Sequence, residues 1–477
     1  MDIYCDAVVV GAGIVGALIA SRLADAGMDV VCLGEDIAAP GRASSAAGAM
    51  LGVLGEVVSG DGPLDAEELS LRDQAARLWP ATAEWLTTTS GIPVKVGQGT
   101  FIIAGVAKQS DRACLAAMDA AADKLGLACE EIDPREIPYL SPAPGYETIE
   151  ARWLPAEGYV DTTAVASAVR ATLSRLRYVE GLAIEVQHEA GHVSGVTTTH
   201  GVTLRADTVI LAAGVGTQAL LDALGDCTGV TARLLPGKGT SVTLADDGNN
   251  LRQVIRTPNR DFACGTHLVP RGDGSLYLGA TNRIAATPGS NESSTSGELH
   301  TLLHSGCHEI NTRLRTAECL GFRYGMRPLS SDGYPLIGPT NLDGLYLATG
   351  TYRNGILLAP AIAGLITAAV LDPPASPPVF APTSPWRINR PVNLQRLLQI
   401  GVPQIVSFVT EPGGHLPYDR QNELQRALLT LFRLAFLDSD DEALAVTRQR
   451  CDALLRSGHV PETITQVFYE LSAAALP

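Results

Sequence analysis

The sequence is short of positive charge for its length: 35 Lys and Arg stand against 51 Asp and Glu, a formal net charge of −16. Such a balance repels phosphate backbones and anionic lipid surfaces, and no Lys/Arg-rich tract overrides it, so no nucleic-acid partner is expected. Long hydrophobic runs are lacking as well. No apolar stretch is long enough to span a bilayer, and strand-like sequence begins at Ala7-Val8-Val9-Val10 with no basic n-region or signal segment before it. No membrane association and a cytoplasmic location are therefore expected. The nine cysteines are odd in number and form no CxxC pair, which argues against a disulfide framework. His304, Cys307 and His308 come nearest to a metal cluster, but they share one predicted helix with no second ligand group, so no metal is expected.

What is present suits a soluble globular protein of two or three domains: 477 residues, 46% hydrophobic and 18% charged. The opening predicts a strand, a glycine-rich turn, a helix from Ile14 to Ala26 and a second strand Val30-Val31-Cys32-Leu33, the start of a βαβ unit. Thr208-Val209-Ile210-Leu211-Ala212-Ala213-Gly214 and Leu345-Tyr346-Leu347-Ala348-Thr349-Gly350 repeat the form of an apolar strand that stops at glycine. The expected fold class is α/β. A discontinuous Rossmann-like nucleotide-binding domain (residues 1–78, 142–233 and 321–371) is joined by an α+β substrate domain (79–141 and 234–320) and a small α-helical C-terminal part. Pro373, Pro374, Pro377, Pro378, Pro382 and Pro385 mark a linker over 372–390, and helical spacing of apolar residues follows within 391–477.

Chemistry enters at Gly11-Ala12-Gly13-Ile14-Val15-Gly16, which follows a strand and opens a helix. In that setting glycines let the backbone approach a pyrophosphate at the helix N-terminus. The second strand ends at Gly34-Glu35, and Glu35 is read either as the acceptor of ribose hydroxyls or as a solvated surface acid. Gly41-Arg42-Ala43-Ser44-Ser45-Ala46-Ala47-Gly48-Ala49-Met50-Leu51-Gly52 then combines hydroxyls with small residues, suited to close contact with phosphates and a flat ring.

Placed after a βαβ start, that segment resembles the one by which the D-amino-acid oxidase superfamily of flavoproteins, glycine oxidases in particular, passes along FAD. Three later motifs carry the resemblance further: Gly325-Met326-Arg327-Pro328, Asp332-Gly333-Tyr334-Pro335-Leu336-Ile337-Gly338, and Tyr352-Arg353-Asn354-Gly355-Ile356-Leu357-Leu358-Ala359-Pro360. Pro236-Gly237-Lys238-Gly239 and Val269-Pro270-Arg271 add to it, and it covers about Ala7 to Val370. By the resemblance, FAD is held by the Gly11–Gly16 turn, Gly34, Glu35, Arg42, Ser44, Ser45, Gly48, Ala49, Met50, Ala183, Ala213, Gly214 and Gly325. Arg327, Arg353, Asn354, Gly355, Ile356 and Leu357 complete that set, the last four with backbone N–H groups at a helix start near the isoalloxazine. Binding is expected to be non-covalent, because Gly325 occupies the region where related sarcosine oxidases present a flavin-linked cysteine.

The resemblance also implies that Arg327 forks onto a substrate carboxylate, with Arg353, His267, Asn282 and Met50 completing the catalytic pocket. His267 stands where a tyrosine is usual, Asn282 where a methionine is usual and Thr351 where a histidine is usual, which makes the pocket more polar. His267 is read either as a ligand for a second polar substrate group or as a hydrogen-bonded structural residue. The implied reaction is hydride removal from the carbon beside the amine of a small amino acid, followed by imine hydrolysis and transfer of electrons to dioxygen, yielding hydrogen peroxide. Oxidation of a larger secondary amine, a catalytically silent flavin-binding scaffold and a nicotinamide-dependent dehydrogenase are the rival readings. Oligomeric state is left open, a homo-oligomer included.

Overall fold

A computed structural model of the chain describes residues 2–373 apart from 58–64, 106–108, 231, 246–247, 249–250, 260–263, 285–292 and 331–332. Asp332 and the expected linker and helical region beyond Pro373 lie outside the described residues.

Two sheets organise the molecule. The first has six strands in the order Leu336–Pro339, Leu345–Thr349, Thr208–Leu211, Ala7–Val10, Val30–Gly34 and Arg177–Glu180. All neighbours are parallel except the first pair. Its central strands are buried along their whole length, which is why they read as unbroken apolar runs rather than as alternation. Helices Ile14–Asp25, Asp65–Ser90, Thr162–Leu173 and Gly355–Leu371 cover one face through a core that includes Ile19, Leu23, Trp79, Leu86, Val169 and Ile362. Trp79, buried inside a long helix, donates its indole N–H to the carbonyls of Ile356 and Leu357 at 3.2 and 3.1 Å, locking the start of the Gly355–Leu371 helix. The opposite face packs Val8, Val10, Val31 and Leu33 against Val186, Val196 and Leu204 of a four-stranded sheet.

The second sheet has nine strands, mostly antiparallel. At its heart Leu234–Ala245, Ser275–Gly279, His267–Pro270, Val254–Arg256, Val96–Gly105 and Thr148–Val160 lie in that order, and Cys319–Ser330 pairs along the length of Leu234–Ala245. Registers set which side chains share a face: His267 lies opposite Arg256 and Gly279, Val269 and Thr243 lie opposite Tyr277, and Gly237 lies opposite Arg327. Alternation then puts Arg256, His267, Tyr277 and Arg327 on one side of the sheet, while Ile255, Leu268 and Leu278 point into the core beneath.

Two long strands, Thr148–Val160 and Cys319–Ser330, come from stretches expected to belong with the nucleotide fold, yet both hydrogen-bond into the nine-stranded sheet. Their mixture of exposed and buried residues suits antiparallel pairing, not the doubly buried parallel sheet. Likewise Asp65–Ser90 runs straight across the expected boundary at residues 78 and 79, because Trp79 and Leu86 bury against the parallel-sheet helices. Among the described residues no helix is long and apolar enough to cross a membrane.

Candidate active site

A cleft of about 390 Å³ opens at the carboxyl ends of the parallel strands and runs to the nine-stranded sheet. The first glycine turn forms its floor. Gly11 has φ +121°, a conformation that disfavours any residue with a Cβ, and a Cβ added at Gly16 would sit 1.8 Å from the Gly11 carbonyl oxygen. The helix that follows begins at Ile14 with no side-chain cap on Gly13, so its first N–H groups face the cleft; Ser44 Oγ accepts the Ile14 N–H at 3.3 Å. Ala213 and Gly214, ending the Thr208–Leu211 strand, and Ala183 from the four-stranded sheet line the same wall.

Of the residues read from the sequence as cofactor contacts, Gly11, Ala12, Gly13, Ile14, Val15, Gly34, Glu35, Arg42, Ser44, Ala183, Ala213, Gly214, Gly325, Arg327, Arg353, Gly355 and Ile356 all line this cleft. Glu35 is engaged by Arg42, its ion-pair partner at the edge. Gly16, Ser45, Gly48, Ala49, Asn354 and Leu357 stand one layer back. Gly16 packs on Gly11, and Leu357 is buried in the helix core. Met50 is not among the residues that line the cleft; its backbone bridges to Tyr159 and it packs against Val254, Val269 and Tyr277. Gly325 is required by close approach: a Cβ there would lie 2.9 Å from both the Ala46 Cβ and the Arg42 carbonyl oxygen, and the adjacent Met326 N–H donates to Gly41 at 3.0 Å.

The two arginines differ sharply. Arg327 lies across Gly239, where any Cβ would come within 2.0 Å of its Nη2, and donates through Nη1 to the Thr281 carbonyl at 3.1 Å and to Asn282 Oδ1 at 3.2 Å. Its Nε and Nη2 make no hydrogen bond, and no carboxylate pairs with it among the described residues, so one edge of the fork stays available to the cleft. Asn282 in turn donates to the hydroxyl of Tyr352, whose ring rests on Gly237 and whose backbone is held at φ +45° with its N–H on the Pro328 carbonyl at 2.7 Å. Tyr352 lines the cleft and was not singled out as a site residue; its place between a glycine turn and Arg353 was the available signal.

Arg353, by contrast, lies near a carboxylate that it shares with Arg256. Its Nε lies 4.0 Å from Glu56, and its guanidinium stacks 5.0 Å over the Tyr352 ring. Glu56 also accepts from Arg256 Nη1 at 2.6 Å and Asn259 Nδ2 at 2.8 Å. Burial alone would raise the Glu56 carboxyl, but Arg256 and Arg353 together hold it down at about 2. Behind it, Glu157 Oε1 accepts the backbone N–H groups of Val53, Leu54 and Gly55 at 2.8, 2.5 and 2.9 Å, fixing the turn that presents Glu56. This buried charge array was missed in the sequence, although a charged residue closing the apolar run Val254-Ile255-Arg256 hinted at it.

His267 is buried beside this array, its ring stacked on Tyr277 at 5.7 Å between centroids and its Nδ1 without a hydrogen-bond partner among the described residues. Burial, reinforced by the positive charge of Arg256, pushes its pKa down to about 3, so the imidazole is neutral. Neither His267 nor Asn282 lines the cleft directly; Asn282 reaches it through Arg327 and Tyr352.

A family model described as FAD dependent oxidoreductase matches residues 6–369. The chain belongs to this family. Among other FAD dependent oxidoreductases, the glycine oxidase of Bacillus licheniformis is 31% identical over 379 residues, covering 77% of this chain and 94% of the relative. That of Geobacillus kaustophilus is 29% identical over 375 residues, covering 77% and 93%. The crystal structure of the Geobacillus kaustophilus enzyme superposes with a TM-score of 0.69 at 25% identity, over 81% of this chain and 99% of that one. An iminodiacetate oxidase from Chelativorans sp. BNC1 shares the fold with a TM-score of 0.64 at 22% identity, over 80% of this chain and 98% of that one. A bifunctional ThiO/ThiG protein from Synechocystis is 32% identical over 294 residues, 58% of this chain, which spans only 41% of that longer protein. The tight glycine cradle, the uncapped helix start and the Ser44 hydroxyl fit the dinucleotide that the family name specifies.

Proposed function

We propose that this flavoprotein oxidises a small amino acid or N-substituted glycine at the carbon beside its amine. The observation that carries the proposal is the open edge of Arg327: a cation in the cleft, seated by Gly239, Thr281 and Asn282, with no carboxylate paired to it among the described residues. A guanidinium held in that state binds a substrate carboxylate bidentately and so fixes the direction of the adjacent C–H bond. FAD, held there without a covalent link, would supply the hydride acceptor and the two-electron reduction of dioxygen, with two protons, to hydrogen peroxide.

The chain's own residues divide the remaining work. The Gly11–Gly16 turn holds the pyrophosphate at the helix start, and Glu35 with Arg42 borders the ribose. The backbone N–H groups of Gly355 and Ile356, at a second helix start that lines the cleft, would face the ring. Neutral His267 does not protonate the substrate amine, which must enter unprotonated for hydride loss. Arg353, which lines the cleft 4.0 Å from Glu56 and whose Nη1 is buried without a hydrogen-bond partner among the described residues, is the second candidate for the substrate carboxylate. A substrate with a polar N-substituent, rather than glycine itself, is the second reading, favoured by the Tyr352 hydroxyl that Asn282 holds beside Arg327 in the cleft. A peroxide-coupled screen of amino acids and N-alkyl glycines tests both: turnover of amines lacking a carboxylate, equal to that of amino acids, would overturn the assignment of Arg327.

A further inference from the structure

The wall of the cleft formed by residues 43–48 is gripped from behind. Arg323 Nη1 donates to the Ser45 carbonyl at 3.1 Å, the Tyr277 hydroxyl donates to the Ala46 carbonyl at 3.2 Å, and Arg271 Nη2 donates to the Ala47 carbonyl at 3.1 Å. All three donors come from the nine-stranded sheet or the turn that leaves it, and they take three consecutive carbonyls of one segment. The segment lies hard against the sheet: a Cβ added at Gly48 would sit 3.0 Å from the Tyr277 ring and 3.1 Å from His267 Nε2. Arg271 is itself fixed, with its Nη1 on the Thr162 hydroxyl and 3.6 Å from Asp161, and its guanidinium 4.8 Å over the Tyr277 ring. Ala43, Ser44, Ala46 and Ala47 line the cleft on the other side.

We propose that Arg271, Tyr277 and Arg323 are positioning residues that orient the peptides of Ser45 to Gly48 against the flavin. Ser45 and Ala46 belong to the short helix Ala43–Ala46, so the three donors hold that turn and the residue after it by their carbonyl ends and fix Ala43, Ser44, Ala46 and Ala47 in the cleft wall. The guanidinium groups of Arg271 and Arg323 place positive charge behind this wall, an arrangement that favours negative charge on the group it faces. None of the three residues needs to touch the cofactor for this to operate.

This inference rests on the reading that the cleft holds FAD, and the test separates the two. FAD dissociation constants from reconstitution of the apoprotein, and flavin midpoint potentials, are measured on the full chain and on R271M, Y277F, R323M and R271K, with circular dichroism and thermal melting to confirm folding. Y277F removes one hydrogen bond and no charge, so FAD binding weakens about fivefold while the potential stays put. R271M also removes a buried positive charge, so reduction becomes harder by about tenfold in the equilibrium constant, a fall of about 30 mV for two electrons. R271K keeps the charge and restores the potential without restoring the affinity. R323M, at an exposed position, weakens FAD binding with a smaller fall in potential. Should R271M fail to fold, Y277F and R323M decide the matter. Folded variants that keep both the affinity and the potential of the unmodified chain overturn the proposal while leaving the FAD site standing; an unmodified chain that binds no FAD overturns both.

Discussion

Replacing Arg327 with Ala is the most direct perturbation of the proposed chemistry. In the structure Nη1 is committed to Thr281 and Asn282, which leaves Nε and Nη2 for a ligand. Hydrogen bonds to charged groups contribute about 1.5–3 kcal/mol each, and discounting the pair for solvent access to the cleft leaves about 3 kcal/mol for the fork. That corresponds to a rise in KM of roughly a hundredfold for any carboxylate substrate. Because the same contact is made in ground and transition states, kcat should change far less. Arg327→Lys keeps the charge but not the fork and should recover about tenfold of the loss. The assay is steady-state peroxide release across glycine, N-methyl glycine and an amine of similar size without the carboxylate, with thermal melting as the folding control. A KM for amino acids that stays within twofold of the unmodified protein would refute the reasoning, as would an equal loss for the amine that has no carboxylate.

Glu56→Gln should leave Arg256 and Arg353 buried without their shared counter-charge and cost about 3–5 kcal/mol, read as a fall in the urea midpoint at neutral pH. Since the Glu56 carboxyl is held at about 2, below its ordinary 4.5, the advantage of the unmodified protein is complete above 4.5 and disappears as pH falls toward 2. His267, depressed to about 3 from 6.5, contributes stability that is whole above 6.5 and declines on acidification, by up to about 1.4 kcal/mol per pH unit. His267→Gln should flatten that slope in denaturation curves taken between pH 4 and 7, and a slope left unchanged would place the titrating group elsewhere. Gly16→Ala forces a Cβ onto the Gly11 carbonyl, and overpacking of this kind costs about 1–3 kcal/mol or more. The purified variant should have lost its flavin absorbance, and full flavin content would contradict the cradle assignment.

Much of the fold was legible because its signals are local. The unbroken apolar strands, the glycines that end them and the helix from Ile14 all follow from short-range sterics and burial. The allocation of Thr148–Val160 and Cys319–Ser330 was not legible, since which sheet a strand joins depends on partners far away in the chain. Within the site, Met50 sat in a motif that suggested contact with the ring, but pairing with Tyr159 turned it into the packing between sheet and loop. Glu56, Arg256 and Asn259 could not be joined in advance, because their meeting requires Val254–Arg256 to lie parallel beside Val96–Gly105 while Glu157 caps the turn at 53–55.

The amino-acid sequence by itself determined where the backbone must come close to a ligand, for only glycine satisfies the sterics at Gly11 and Gly16. It also determined which cations were available. What only the tertiary structure decided is their electrostatic state: Arg327 keeps an open edge, whereas Arg353 shares the Glu56 carboxylate with Arg256. Charge depends on neighbours through space and on the water they exclude, and neither quantity is written in the order of residues along the chain.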